Sequence, residues 1–465
     1  MNILVVAVSD DNYGDTVIRA CFNDLIKVVL KNLQISDYNI TNMAMSGIDE
    51  NLIKTQDIIY FAGGGVVKYD YLKFFQYIDD ITKIADTNNI PIVFSSVGVE
   101  SFDEDNEKCI QLKKAISRSC VKSISVRDDL DTLKKYVGET NIPISRVCDP
   151  AVWAESVYNV KRNEDSDIIG INVVRNGLFK ANKKNWARKE EIDFLLDLKA
   201  LLDQNNMKYK FFTNGSFLDE NFLRDFKATC DIPDEQVILR MNNSQKLVEE
   251  ISNFKAIVAF RMHASITAYA LKIPSVALAW NDKVTFFYDI VGWKDRAFAF
   301  DNWSADKIFS KLCEVMQDEP EHSEEYFMSV YEYLYHSVAN HFSDKTISPE
   351  SALMYDFSQV RDATGGGVLS LYNDYDAASK LHHGATHYLS RIRDLEKKNE
   401  KISECEAKIK DYKKQLAGYK KELSAYEKRV TSMKAQIDKL NRIFAVRCLN
   451  YVKRKKWAIS DKLKK

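Results

Sequence analysis

Lys255 to Lys283 reads KAIVAFRMHASITAYALKIPSVALAWNDK, and this stretch decides the fold. Ala256 to Phe260 is a short apolar run suited to a buried parallel strand, and Ser265 to Leu271 reads as a helix. Lys272-Ile273-Pro274 reads as a turn, and Ser275 to Ala279 as a second apolar strand. A βαβ unit of this kind runs its two strands parallel and opens both carboxyl ends on one edge. Arg261, Met262 and His263 follow the first strand, and Trp280, Asn281, Asp282 and Lys283 follow the second. Two fixed cations and an imidazole thus reach the rim where open α/β sheets take their ligands, so the rim reads as an anion site. His263 is the first histidine of the chain, and the next is His322.

The same alternation fills the chain upstream. Asn2 to Val8 is an apolar β-rich run, Ser9 to Asp15 a polar loop, and Thr16 to Leu30 has helical period. Asp57 to Phe61 is a strand closed by Gly63-Gly64-Gly65, Pro91 to Ser95 ends near Gly98, and Ser123 to Val126 ends at Arg127. Helical segments lie between, among them Tyr71 to Ala85 and Glu107 to Ser119. Asp149-Pro150 marks a turn, after which the pattern restarts at Asp167 to Val173 and Lys208 to Thr213. The expected fold class is α/β: two Rossmann-like domains, 1–155 and 156–342, facing each other across a cleft. Neither carries G-x-G-x-x-G, so a dinucleotide cofactor is not expected.

Composition sets bounds on function. The 465 residues are 45% hydrophobic, enough for two cores, and the net charge of −1 assigns no partner to the molecule as a whole. Eight cysteines contain no C-x-x-C pair, so neither a zinc site nor a disulfide framework is expected, which suits a reducing compartment. MNILVVAVSDDNYGD lacks a basic n-region and a long apolar run, and no stretch has the length of a membrane span. A cytoplasmic location is therefore expected.

Each junction residue also has a plainer reading. Arg127 could cap the sheet edge or pair with Asp128 or Asp129, and His263 could be a core histidine bonded to a carbonyl. Gly14, and Gly63 to Gly65, could form simple turns or could let backbone amides approach a ligand. Four strand-to-loop junctions with compatible chemistry favour the site.

These residues resemble the polysaccharide pyruvyl transferases. The family's N-x-G-D motif looks like Asn12-Tyr13-Gly14-Asp15, and its glycine triplet looks like Gly63-Gly64-Gly65. Its S-V-R-D segment is similar to Ser125 to Asp128, its D-P turn to Asp149-Pro150, and its R-x-H-A motif with a later lysine to Arg261 to Ala264 with Lys283. The matches are dispersed over about 1–290 in the family's order; about 160–250 matches little. The resemblance implies a glycosyltransferase-B-like fold and phosphoenolpyruvate as donor, with no cofactor. It further implies that Arg127, His263 and Lys283 are donor-site residues. Arg261 joins them on position alone. Phosphoenolpyruvate carries a carboxylate and a phosphate, which cations must hold. His263 would act as general acid or base, with Asp15 as a possible second group. The expected reaction moves the pyruvyl group onto sugar hydroxyls of a surface-polysaccharide precursor, nucleotide-linked or lipid-linked, as a ketal. Two rivals are a nucleotide-sugar glycosyltransferase of the same fold and a non-catalytic coiled-coil scaffold.

The remainder of the chain changes character. Residues 343–386 read as a linker with Gly365-Gly366-Gly367. Over 387–445, Tyr388, Leu395, Ile402, Ile409, Leu416, Leu423, Val430, Ile437 and Phe444 fall at every seventh residue. Cys405, Tyr412, Tyr419, Tyr426, Met433 and Leu440 take the d positions of that register, which only Arg391 and Lys398 spoil. That predicts a coiled coil about 85 Å long at 1.5 Å per residue, and hence a homo-oligomer. The basic tail 446–465 sets eight Lys/Arg against Asp461, with Tyr451 and Trp457 interleaved. It suits an anionic membrane surface; no nucleic-acid reading motif accompanies the charge.

Overall fold

The structure, a computed structural model, describes residues 1–8, 12–71, 73–181, 184–318, 320–342 and 353–365, and from 402 onward residues 402, 405, 408–410, 412–436, 438–439, 441–442, 445–447 and 449–456. The chain divides into two compact units, 1–384 and 385–465.

The first unit contains two parallel sheets. Strands β1 (Asn2–Ala7), β2 (Asn39–Ala44), β3 (Ile58–Ala62), β4 (Ile92–Val97), β5 (Val121–Val126) and β6 (Ile144–Arg146) stand in the order β2-β1-β3-β4-β5-β6. Strands β7 (Ile168–Asn172), β8 (Lys208–Phe212), β9 (Ala256–Ala259), β10 (Ser275–Ala279) and β11 (Ala297–Ala299) stand in the order β11-β10-β9-β7-β8. The central strands β3, β4, β9 and β10 are buried along their whole length, as β-branched and aromatic runs covered by helices on both faces should be. The edge strands β2 (NITNMA), β6 (ISR) and β11 (AFA) are polar or short, and the apolar pattern does not announce them. In each sheet the strand order reverses once, between β1 and β3 and between β7 and β9. At such a switch point the loops leave in opposite directions and open a crevice beyond the carboxyl ends. The βαβ unit of the sequence reading is β9, the helix Met262–Ala270 and β10, with Val258 beside Val276 in register.

Two helices tie the sheets together. The first helix, Tyr13–Asn32, is buried along almost its whole length and starts at Asn12, whose side chain accepts from the Gly14 amide. It reaches the second sheet at once: the Tyr13 amide donates to the Asn214 carbonyl at 2.8 Å, and the Tyr13 hydroxyl to the Asn242 carbonyl at 2.5 Å. After the second sheet the chain comes back to the first through the helix Glu324–Phe342. There the Tyr333 hydroxyl lies 2.7 Å from Ser123 Oγ and donates to the Phe94 carbonyl at 3.0 Å, while the Tyr331 hydroxyl donates to Asn32 at 2.5 Å. By packing, then, this helix belongs with the first sheet, although it follows the second in the chain.

Part of the span read as a linker is docked. The helix Phe357–Ala363 buries Val360, and Asn32 holds the preceding turn by accepting from the Tyr355 amide at 3.0 Å and donating to the Leu353 carbonyl at 3.0 Å. The Gly365 amide then donates to Asp24 at 2.7 Å. In the second unit every described residue is helical and exposed. Among the described residues no helix is long and apolar enough to cross a membrane.

Candidate active site

Arg127 follows β5 directly, and its buried guanidinium must find a partner. Asp149 supplies one: it pairs with Arg127 Nη1, the two side chains being 4% and 2% exposed. Asp149 opens the 3-10 turn Pro150–Trp153 and accepts from the Ala151 amide at 2.9 Å. Burial pushes its carboxyl up, but Arg127 and His263 outweigh burial and hold it at about 2. Asp128, next in the chain, lacks such relief. Burial pushes it up to about 6, against Arg127 and the amides of Val99 and Asp129.

His263 comes from the other sheet. Its Nε2 lies 3.2 Å from Arg127 Nη1 and 3.8 Å from Asp149, and its Nδ1 lies 3.8 Å from Asp15. A guanidinium only donates, so toward Arg127 an unprotonated Nε2 accepts, whereas a ring with a proton on Nε2 donates toward Asp149. Asp15 is held by the Asn12 side-chain amide at 2.5 Å in the first turn of the first helix. Gly14 makes this meeting sterically possible: a Cβ there would lie 2.5 Å from the His263 Cβ and 2.8 Å from its Nδ1.

A second group of charges also spans the sheets. Lys283 Nζ lies 3.4 Å from Glu100, which also pairs with Lys68 at 2.7 Å. Burial would raise the Glu100 carboxyl, but Lys283 and Lys68 bring it down to about 2. Arg261 belongs to a third group. Its Nε and Nη2 bind the buried Asp219 at 2.9 Å and 2.5 Å, the Arg261 amide donates to Asn172 at 2.9 Å, and Arg175 approaches the Asp219 carboxylate at 3.7 Å.

The structure therefore brings Asp15, Arg127 and His263 together and sets Lys283 on a carboxylate of the facing sheet. Several expectations need correction. His263 is not in a loop: the helix begins at Met262, with extended Arg261 as its N-cap, so His263 occupies the first turn and is buried. Lys283 likewise lies in the first turn of the helix Asp282–Ile290. The first amide of the glycine triplet is not offered to a ligand, because Gly63 donates to the Ser95 carbonyl at 2.8 Å. Gly63 and Gly64 have φ of 58° and 73°, and a Cβ on either would strike Ile18 or Val8, which explains the glycines sterically. Arg261 is committed to Asp219 rather than to Arg127. Sequence reasoning missed Asp149 as a charge partner, and it missed Lys68 and Glu100 altogether. Among the described residues no group of three or more His, Cys, Asp and Glu side chains is placed to hold a metal ion.

The family model for polysaccharide pyruvyl transferases matches residues 12–282, from Asn12 through the site to the start of the Lys283 helix. The chain belongs to the polysaccharide pyruvyl transferase family. It is a transferase acting on polysaccharide. No curated protein matches it by sequence. Its fold is similar to that of a Listeria monocytogenes protein described as a UDP-N-acetylglucosamine 2-epimerase, with 8% identity and a TM-score of 0.50 over 76% of this chain and 99% of that one. UDP-GlcNAc 2-epimerase from Methanocaldococcus jannaschii (11% identity, TM-score 0.47, 73% of this chain and 99% of that one) is also similar. So is E. coli ADP-heptose lps heptosyltransferase II (15%, 0.35, 68% and 99%). At such identities the likeness concerns the fold alone. The transferase's two parallel sheets with alternating helices are the fold class expected from its sequence.

Proposed function

We propose that this transferase takes the pyruvyl group of phosphoenolpyruvate and fixes it as a ketal on two hydroxyls of a sugar in a surface-polysaccharide precursor. Two C–O bonds form at the central carbon and the bond to phosphate breaks. One hydroxyl proton ends on the methylene carbon, which becomes a methyl group, and the other leaves with the phosphate. The observation that carries the reading is the convergence of Arg127, Asp149, His263 and Asp15 from the carboxyl edges of two facing sheets. Arg127 grips an anionic group of the donor and stabilises charge on the departing phosphate. His263 moves a proton, and Asp15 stands where it would hold the imidazolium. Lys283, with Lys68 close by, and Arg261 serve the donor's anionic ends.

The second unit completes the proposal. The heptads of 387–445 assemble the enzyme into a homo-oligomer, and the basic tail holds it at the inner, anionic face of a cell membrane, near a lipid-linked acceptor. The deciding experiment is phosphate release from phosphoenolpyruvate with candidate acceptor glycans, run beside a panel of nucleotide sugars. His263→Ala, followed by a thermal melt, should abolish turnover without unfolding the protein. Consumption of a nucleotide sugar in place of phosphoenolpyruvate would overturn the proposal, and near-normal turnover of the variant would remove His263 from it.

A further inference from the structure

We propose that Asn172 and Asn214 are positioning residues: the bond between their side chains ties the His263 helix to the first helix and so sets the distance between His263 and Asp15. What this says of turnover rests on the function proposed above. His263 Nδ1 and Asp15 stand 3.8 Å apart, too far to hold each other by a hydrogen bond. The close approach of Gly14 to His263 limits how near the two can come, and another contact must keep them from drifting apart.

The sequence puts an asparagine at the carboxyl end of each of two neighbouring strands. Asn172 is the last residue of β7 and lies beside Phe212 of β8 in register, and Asn214 follows just after β8. Both are fully buried. The Arg261 amide can only donate, so Asn172 turns its oxygen to it at 2.9 Å and keeps its NH2 to donate to Asn214 Oδ1 at 3.0 Å. Arg261 is the N-cap of the His263 helix and makes no side-chain cap bond, so the contact with Asn172 holds the start of that helix. The Asn214 carbonyl accepts from the Tyr13 amide at 2.8 Å, at the start of the helix whose first turn holds Asp15. Arg261, Asn172, Asn214 and Tyr13 thus form one bonded path between the segments that carry His263 and Asp15.

The surroundings make this path stiff. The Thr213 hydroxyl donates to Glu220 at 2.6 Å and accepts from the Gly215 amide at 2.9 Å, which pins the turn on both sides of Asn214. Glu220 in turn accepts from the Arg240 amide at 2.9 Å. Stability alone does not ask for two asparagines here. Apolar side chains like the flanking Ile171 and Phe212 would pack without polar atoms to desolvate. Among the described residues Asn214 Nδ2 has no partner, an unfavourable arrangement for a contact whose only task is stability. Positioning does ask for them, because apolar contact has no direction whereas a hydrogen bond fixes both a distance and an angle.

The test uses the full-length chain with isotope-labelled histidine, His263→Ala identifying the His263 ring resonance by its loss. Asn214→Ala removes the side-chain bond alone, leaving the Asn214 carbonyl to Tyr13 and the Asn172 oxygen to Arg261. It should shift the His263 resonance, as Asp15→Asn does. With phosphoenolpyruvate and an acceptor glycan that supports phosphate release, it should lower kcat by roughly tenfold or more, in keeping with a catalytic group displaced by a fraction of about 1 Å. Phosphoenolpyruvate affinity by calorimetry should stay within about threefold, because Arg127 and Lys283 are untouched. A His263 resonance that does not move, or turnover and affinity that fall together, would overturn the proposal. Should Asn214→Ala not fold, Asn214→Ser makes the same cut more mildly, and loss of the fold in both would make the pair a stability element and overturn the proposal too. A wild type that releases no phosphate from phosphoenolpyruvate would overturn the proposed function instead, while the ring resonance still decides the positioning.

Discussion

Replacing Asp149 by asparagine should remove a large share of the stability at neutral pH. Burial would push the Asp149 carboxyl up, yet Arg127, with His263 behind it, holds it at about 2 in place of its ordinary 3.8. That gap corresponds to roughly 2.5 kcal/mol in favour of the ionised form. Asparagine keeps the shape and can still accept from the Ala151 amide, but it takes from the buried Arg127 the carboxylate it is bonded to, leaving only the charges of Asp128 and Asp15 near it. Breaking one side of a buried ion pair costs about 3–5 kcal/mol, so a loss of about 3 kcal/mol is expected at pH 7. The pH dependence has a definite sign. A carboxylate with a depressed folded pKa contributes stability above its unfolded value and loses it as pH falls through the folded one. The gap between wild type and Asp149→Asn should therefore narrow as pH drops below 3.8 toward about 2. Urea titrations at pH 7 and at descending pH measure it. Arg127→Ala and the double variant close a cycle whose coupling should reach at least about 1.5 kcal/mol. A variant within about 0.5 kcal/mol of wild type at pH 7, the range of an ordinary surface change, would refute the reasoning. So would a gap that does not narrow in acid.

Gly14→Ala should cut turnover by roughly two orders of magnitude, the cost of moving a catalytic group by about 1 Å, because the new Cβ must displace His263. Steady-state kinetics beside a thermal melt check it, and near-normal turnover would show that the imidazole tolerates the shift. Glu191 is fully buried, and burial lifts its carboxyl to about 8 against the pull of Asn176. Because its folded pKa is raised, stability should fall as pH rises from 4.5 to about 8, and Glu191→Gln should flatten that slope. Melts at about pH 5, 7 and 8.5, roughly spanning that window, would count against this if both proteins kept the same slope. Lys283→Ala should weaken phosphoenolpyruvate binding by roughly 1.5–3 kcal/mol, the worth of a charge-assisted contact. Wild-type affinity by calorimetry would move the anion site away from Lys283.

What the sequence makes legible is what strand ends determine. β9 is a short apolar run and β5 closes on Ile124-Ser125-Val126 before charged residues, so their carboxyl ends can be read to within a residue, and Arg127 and His263 follow from them. Their meeting follows once the two sheets face each other. Asp149 lies after the polar edge strand β6, whose pattern gives no strand signal, so the residue reads as a turn former. Only the facing position of the Arg127 guanidinium makes it a charge partner. Lys68 and Glu100 sit a few residues beyond β3 and β4, and counting onward from those strand ends was the available signal. The start of the His263 helix was misplaced for a local reason: Arg261 offers no capping side chain, so nothing in the sequence marks Met262 as the first helical residue.

On the proposed reading, the charge groups at the sheet edges would meet a donor with two anionic ends. Arg127 pairs with Asp149 and also faces Asp128 and Asp15. Lys68 and Lys283 share the single carboxylate of Glu100, and Arg175 and Arg261 share that of Asp219. Each of these two groups keeps one cation in excess. Burial, with Asp219 nearby, keeps the Glu191 carboxyl protonated up to about pH 8, so it does not cancel the second excess. A ligand with one anionic group would use one excess and leave the other uncompensated. On the proposed reading the donor's carboxylate and phosphate would each meet one excess, leaving Arg127 and His263 for the bonds that change.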